Sequence, residues 1–226
     1  MKSAWIKTSF VFTALALFSC TANAQIDAAL SLYGAFNQST SGNNTQQSPA
    51  NSAGGLFELR RIKNPLVGYE ATYAYNRDNQ GYYSAATVCP AAGNSCNVST
   101  AAISANAHEV TGDWVVSLKA ANLRPFALAG GGLLLNVPAG GTVTTTSCGL
   151  LNPSCNQTTT TAPTFTSIKG VFVYGAGLDW TLLPHLGLRF QYRGNLYKAP
   201  DMVKSFSSTN AFTHNSEPML GIFFRL

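Results

Sequence analysis

Between residues 186 and 196 the chain reads LGLRFQYRGNL. Leu186, Leu188, Phe190, Tyr192 and Leu196 fall on one parity, with Gly187, Arg189, Gln191, Arg193 and Asn195 on the other. Successive side chains of a β-strand point to opposite faces, so such a segment has one greasy face and one charged face. The alternation recurs. Val67, Tyr69, Ala71, Tyr73 and Tyr75 oppose Gly68, Glu70, Thr72, Ala74 and Asn76, and Val110, Trp114, Val116 and Leu118 oppose Glu109, Thr111, Asp113 and Ser117. Phe172, Tyr174, Ala176, Leu178 and Trp180 oppose Val171, Val173, Gly175, Gly177 and Asp179. Weaker segments at 28–37, 54–62, 124–137 and 213–226 bring the expectation to eight strands, mostly of about the ten residues that a tilted membrane strand needs.

The connections alternate as well. Short ones at 63–65, 119–123 and 183–185 take turns with long polar ones at 38–53, 77–105, 138–164 and 198–212. Long structureless loops are unusual inside a compact soluble domain. Arriving every second time, they fit a barrel with short turns at one rim and long loops at the other.

Composition fits the same reading. Only 10% of the residues are charged although 46% are hydrophobic, against roughly a quarter charged in soluble domains. Beyond the N-terminal segment no run reaches the ~20 apolar residues of a helical span. That segment has the order of a secretory signal: Lys2 and Lys7, an apolar run from Ser9 to Leu17, and the small-residue site Ala22-Asn23-Ala24. Residues 1–24 are therefore expected to be a cleaved signal peptide and 25–226 the barrel domain. Leu17-Phe18-Ser19-Cys20 also resembles a lipobox, which leaves lipidation at Cys20 as the rival processing route. Without Lys2 and Lys7 the chain keeps twelve basic and nine acidic residues, a net +3 too mild and scattered to argue for nucleic acid.

Parity sorts the charges. With each strand's face set by its aliphatic and aromatic residues, Glu58, Arg60, Glu70, Glu109, Asp113, Lys169, Asp179, Arg189, Arg193, Glu217 and Arg225 all fall on the inner side, and only Arg61 points out. A narrow eight-stranded interior holding near-balanced charge is expected to be a salt-bridged plug, since an unpaired buried charge costs several kcal/mol. Trp114, Trp180, Phe126 and Phe224 near one rim, and Phe36, Tyr73, Tyr75, Tyr192 and Tyr197 near the other, are expected to form two interfacial aromatic belts.

Taken together these features resemble the OmpA-like and OmpX-like family of small eight-stranded outer-membrane barrels. The most specific piece is the ending GIFFRL, where Gly221, Phe224 and Leu226 match an assembly signal, with Leu226 in place of the usual terminal aromatic. The resemblance implies an all-β, antiparallel, up-and-down transmembrane barrel with periplasmic turns and extracellular loops, inserted by the barrel assembly machinery. It also implies contact with outer-membrane lipids. A monomer is expected, with an extracellular ligand of unknown identity.

Four cysteines follow the signal, and both CPAAGNSC and CGLLNPSC are rich in turn formers, so Cys89–Cys96 and Cys148–Cys155 are expected as local disulfides in outer loops. No metal or cofactor is expected. The nearest catalytic constellation is His214-Asn215-Ser216-Glu217, where His214 and Ser216 share a face but Glu217 points the other way. The sequence thus favours a non-enzymatic structural or surface-interaction barrel. A narrow porin is the first alternative and a lipid hydrolase the second.

Overall fold

A computed structural model describes residues 25–63, 66–85, 95–149 and 155–226, with residues 95, 96 and 149 in backbone only. The expected signal segment, Cys20 and the Cys89 side of the Cys89–Cys96 bond lie outside the described residues.

Twelve strands are seen among the described residues: β1 (Gln25–Asn37), β2 (Thr40–Gly42), β3 (Thr45–Pro49), β4 (Ser52–Ile62), β5 (Val67–Arg77), β6 (Gln80–Ala85), β7 (Ser95–Ser117), β8 (Leu123–Gly149), β9 (Cys155–Thr161), β10 (Ser167–Leu183), β11 (Leu186–Lys198) and β12 (Phe212–Arg225). Eight of them close in the cyclic order β1-β4-β5-β7-β8-β10-β11-β12, every neighbour antiparallel. Closure between first and last strands leaves the barrel without an edge. At that seam the Leu226 N–H donates to the Ile26 carbonyl. Gly221 faces Ser31 so closely that an added Cβ would stand 2.0 Å from Ser31 Oγ, so the glycine of the ending is a packing requirement of closure.

The predicted eight-stranded antiparallel barrel is therefore the observed fold, and its faces are inverted relative to a soluble protein. Leu30, Leu32, Tyr73, Val110, Trp114, Phe172, Phe190, Leu220 and Phe224 are exposed on the outside, while Asp27, Glu58, Arg60, Glu70, Asp179, Arg189 and Arg193 are buried inside. Arg61, half-buried on β4, has the outward parity expected of it.

Two expectations need correction. Phe126 and Tyr197 do not join the outer aromatic belts: both are buried in the lumen. On β8 the inner positions are Arg124, Phe126 and Leu128, whereas the outer ones are Ala127, Ala129 and Gly131, so hydrophobicity pointed that strand the wrong way. The long connections are also not structureless. β7 and β8 run on past the barrel rim, β2, β3, β6 and β9 pair alongside them, and among the described residues of the long connections only 198–212 stay mostly irregular. A register shift at Ser104/Ala105 and the positive φ of Gly140 mark where the sheet leaves the barrel wall.

Candidate functional site

The lumen is filled by a charge network that spans it. Arg60 on β4 donates from Nε to Glu70 at 2.6 Å and from Nη1 to Asp179, on the opposite wall, at 3.2 Å. Arg189 grips the same Asp179 with two donors, at 2.7 and 3.0 Å, and its Nη1 lies 3.4 Å from Glu58. Ser31 donates to Glu58 at 3.2 Å. Forked guanidinium–carboxylate contacts fix both partners geometrically, which a lysine would not do. Beneath them lies Phe126, its ring 3.9 Å from the Arg60 guanidinium carbon, with Phe223 5.6 Å from that of Arg189. Such stacking offsets part of the desolvation of a buried cation.

A second layer sits nearer the long-loop rim. Arg193 donates to Glu109 and to Thr111, each at 3.2 Å, and Asn195 donates to both Glu109 and Glu217 at 3.0 Å. Asn215 also holds Glu217, at 2.7 Å, and Thr111 donates to Asp113 at 2.9 Å. The cavity left between Tyr33, Asn76, Asp78, Tyr197 and Glu217 is about 10 Å³, room for one water at most. Tyr197 and Tyr33 thus cap the charge network from above.

Most of the predicted network residues are brought together, but two stand apart. Lys169 has the inner parity yet lies at the long-loop mouth, paired with Asp201 of the 198–212 segment. Arg225 lies at the other end, 3.5 Å from Asp27, which also faces Arg124 at 3.5 Å. Asp27 and Arg124 were missed by the sequence reading. Extending the first strand's alternation two residues beyond Ala29 would have found Asp27; Arg124 was lost with the parity of Phe126.

The mouth is closed by residues 198–212. Met202, Val203 and Phe206 bury themselves against Tyr82, Ala101, Ile103 and Val143 of the protruding sheet. Gln47 and Tyr82 both donate to the Pro200 carbonyl at 2.9 Å, and Asn43 to that of Ser208 at 2.7 Å. Burial pushes Asp78, just below this lid, up to about 6, against the pull of the Gln80 amide that donates to it. Burial likewise pushes the Tyr82 phenol up. For Asp201 burial works in the opposite sense, but the hydrogen bond from Lys169 prevails and holds the carboxyl below the usual range.

The Cys148–Cys155 disulfide is formed as expected and closes the β8–β9 hairpin. His214 and Ser216 share the outward face, Nδ1 and Oγ 3.4 Å apart, while Glu217 is locked in the lumen. The other nitrogen of His214 meets the Tyr174 hydroxyl at 2.8 Å, so a phenol stands where a hydrolase triad would need a carboxylate.

No protein-family model matches this sequence, and no curated protein matches it. Among solved structures the chain is similar to Ail, the attachment invasion locus protein of Yersinia pestis, at 13% identity over 91% of this chain and 100% of that one, with a TM-score of 0.44. It is similar to Neisserial surface protein A at 13% identity over 90% and 97%, with a TM-score of 0.43. To the outer membrane protein OprG from Pseudomonas aeruginosa it is similar at 10% identity over 91% and 96%, with a TM-score of 0.41. The barrel itself stands on its closed register and inverted burial.

Proposed function

We propose that this chain is an exported outer-membrane barrel whose lumen is sealed and whose protruding sheet makes contacts outside the cell, a structural or surface-interaction role without catalysis. The carrying observation is the inverted barrel: acids and arginines buried within, apolar side chains exposed around it. Open water would not favour that outer face, whereas a bilayer does. On this reading the short-turn rim is periplasmic and the long-loop rim extracellular. Residues 1–24 direct export, the ending Gly221, Phe224 and Leu226 addresses the assembly machinery, and the folded barrel acts as a monomer among outer-membrane lipids. The Arg60–Asp179 contact across the lumen and the lid over it argue against a porin.

Fractionation and conductance test this directly. The expected result is a heat-modifiable, β-rich protein in the outer-membrane fraction that gives no steady conductance in planar bilayers. Recovery in the soluble periplasmic fraction would overturn the membrane assignment, and a regular ohmic channel would restore the porin.

A further inference from the structure

The protruding sheet has one side buried and one side open, and the two are chemically different. Directly paired residues of neighbouring strands share a face. The row Thr40, Gln47, Tyr82, Ala101, Val143 is buried under the lid. One residue along, the row Ser41, Gln46, Tyr83, Thr100, Thr144, Thr159 runs across six strands on the opposite face. All of these are exposed except the half-exposed Thr144, whose hydroxyl is 3.0 Å from that of Thr159. Five interstrand gaps make this row about 24 Å long.

Three properties of the face narrow what can bind it. First, it is uncharged: residues 38–57, 79–107 and 125–168 contain no Asp, Glu, Lys or Arg. A sulfated polymer, a phosphate headgroup or an acidic peptide would find no cation on it. Second, it offers hydroxyls and amides, which both donate and accept. Third, it carries one aromatic platform, Tyr83, 44% exposed. Against that ring lies an open hollow of about 310 Å³, lined also by Ser41 and Gln46. The hairpin beside it is fixed by a turn with positive φ at Asn43 and Asn44 and by the lid bond from Asn43, so the hollow is held in place.

We propose that this face binds an uncharged carbohydrate chain, with Tyr83 as the stacking platform. A neutral sugar ring has an apolar C–H face that packs on an aromatic ring and a rim of hydroxyls that need donors and acceptors at its edge. Tyr83 supplies the first, Gln46 and Ser41 the second, and the threonine row extends the contact along a polymer. Specificity here comes from hydroxyl pairing and stacking, because there is no charge to steer a ligand. The inference rests on the reading that this rim is extracellular.

The test uses folded full-length protein in detergent micelles, titrated with two neutral glucan oligosaccharides, maltoheptaose and cellohexaose, with heparin as charged control. The expected result is saturable binding of at least one neutral glucan, unchanged when salt is raised to molar levels. Tyr83→Ala should weaken it roughly ten-fold or more, a loss of about 1.4 kcal/mol, while Tyr83→Trp retains it and both variants stay heat-modifiable. Three results would each overturn the proposal: binding of neither glucan, binding that survives Tyr83→Ala, or a salt-sensitive preference for heparin. Labelling Thr159→Cys on intact cells with a membrane-impermeant thiol reagent separates the two readings. Labelling without glucan binding refutes the carbohydrate face alone, and protection of that cysteine refutes the extracellular placement beneath it.

Discussion

Arg60 Nη1 and Asp179 Oδ2 stand 3.2 Å apart although β4 and β10, which carry them, are opposite walls of the barrel. A pair of side chains thus bridges the lumen, and Arg189 shares the same carboxylate from the strand beside it.

Removing one member should leave buried partners uncompensated. Arg189→Ala strands Glu58 and leaves Asp179 with Arg60 alone, and the expected loss is about 3–5 kcal/mol, measured by urea unfolding in lipid vesicles. Arg189→Met with Glu58→Leu should recover much of it, since the carboxylate that depends on Arg189 is removed together with it and Asp179 keeps Arg60. Equal losses in the single and double variants would count against an electrostatic cause.

The outer face makes the opposite demand. Phe190 is exposed on β11 between luminal Arg189 and Gln191. Phe190→Arg should cost about 2–4 kcal/mol if that position lies near the bilayer midplane, whereas Phe190→Leu should be nearly silent in the same assay. Tolerance of the arginine would refute the lipid-facing assignment.

The disulfide should matter only locally. Cys148–Cys155 closes a small ring at the tip of the sheet, and the chain-entropy model gives such a ring at most about 2–3 kcal/mol. Reduction should speed protease cutting near β9 while the unheated gel band of the barrel stays in place. Loss of that band on reduction would show that the hairpin supports the barrel.

Acidity should tighten the lid. Asp78 has a folded pKa of about 6, above its ordinary 3.8, so the folded state holds a proton that the unfolded state has released. The sign is therefore a gain in stability as pH falls from above 6 towards 4, with the penalty fully present at neutral pH. Its surroundings include Tyr33, Glu109, Tyr197 and Glu217. Protease cutting within 198–212 should slow between pH 7 and 5, and Asp78→Asn should abolish that dependence. Asp201 acts the other way: its lowered pKa, set by Lys169, means its contribution is lost only as pH falls below the ordinary carboxylate range. A profile unchanged in Asp78→Asn would assign the effect to another group.

How much of this was legible in the sequence depended on contrast between faces. β11 and β5 were readable because their outer side chains are large and apolar and their inner ones charged. β8 was not, because a phenylalanine packs under the Arg60 guanidinium while the outward positions that follow it, Ala127, Ala129 and Gly131, are alanine and glycine. The protruding strands were invisible for a related reason. Threonine favours strands, but where both faces of β9 are hydroxylated there is no period-two contrast to detect. The lid depended on contacts more than a hundred residues apart, such as Tyr82 with Pro200, which no local pattern encodes.

β7 and β8 continue from the short-turn rim into the protruding sheet as two single strands of 23 and 27 residues, paired along their common length. A tug on the sheet's tip would run along these strands and load their cross-strand bonds in shear, many at once, instead of peeling them one by one. Among the described residues the one break in their pairing is the bulge at Ser104/Ala105. The molecule is built as a post with one knee, able to lean against a pull without coming apart strand by strand.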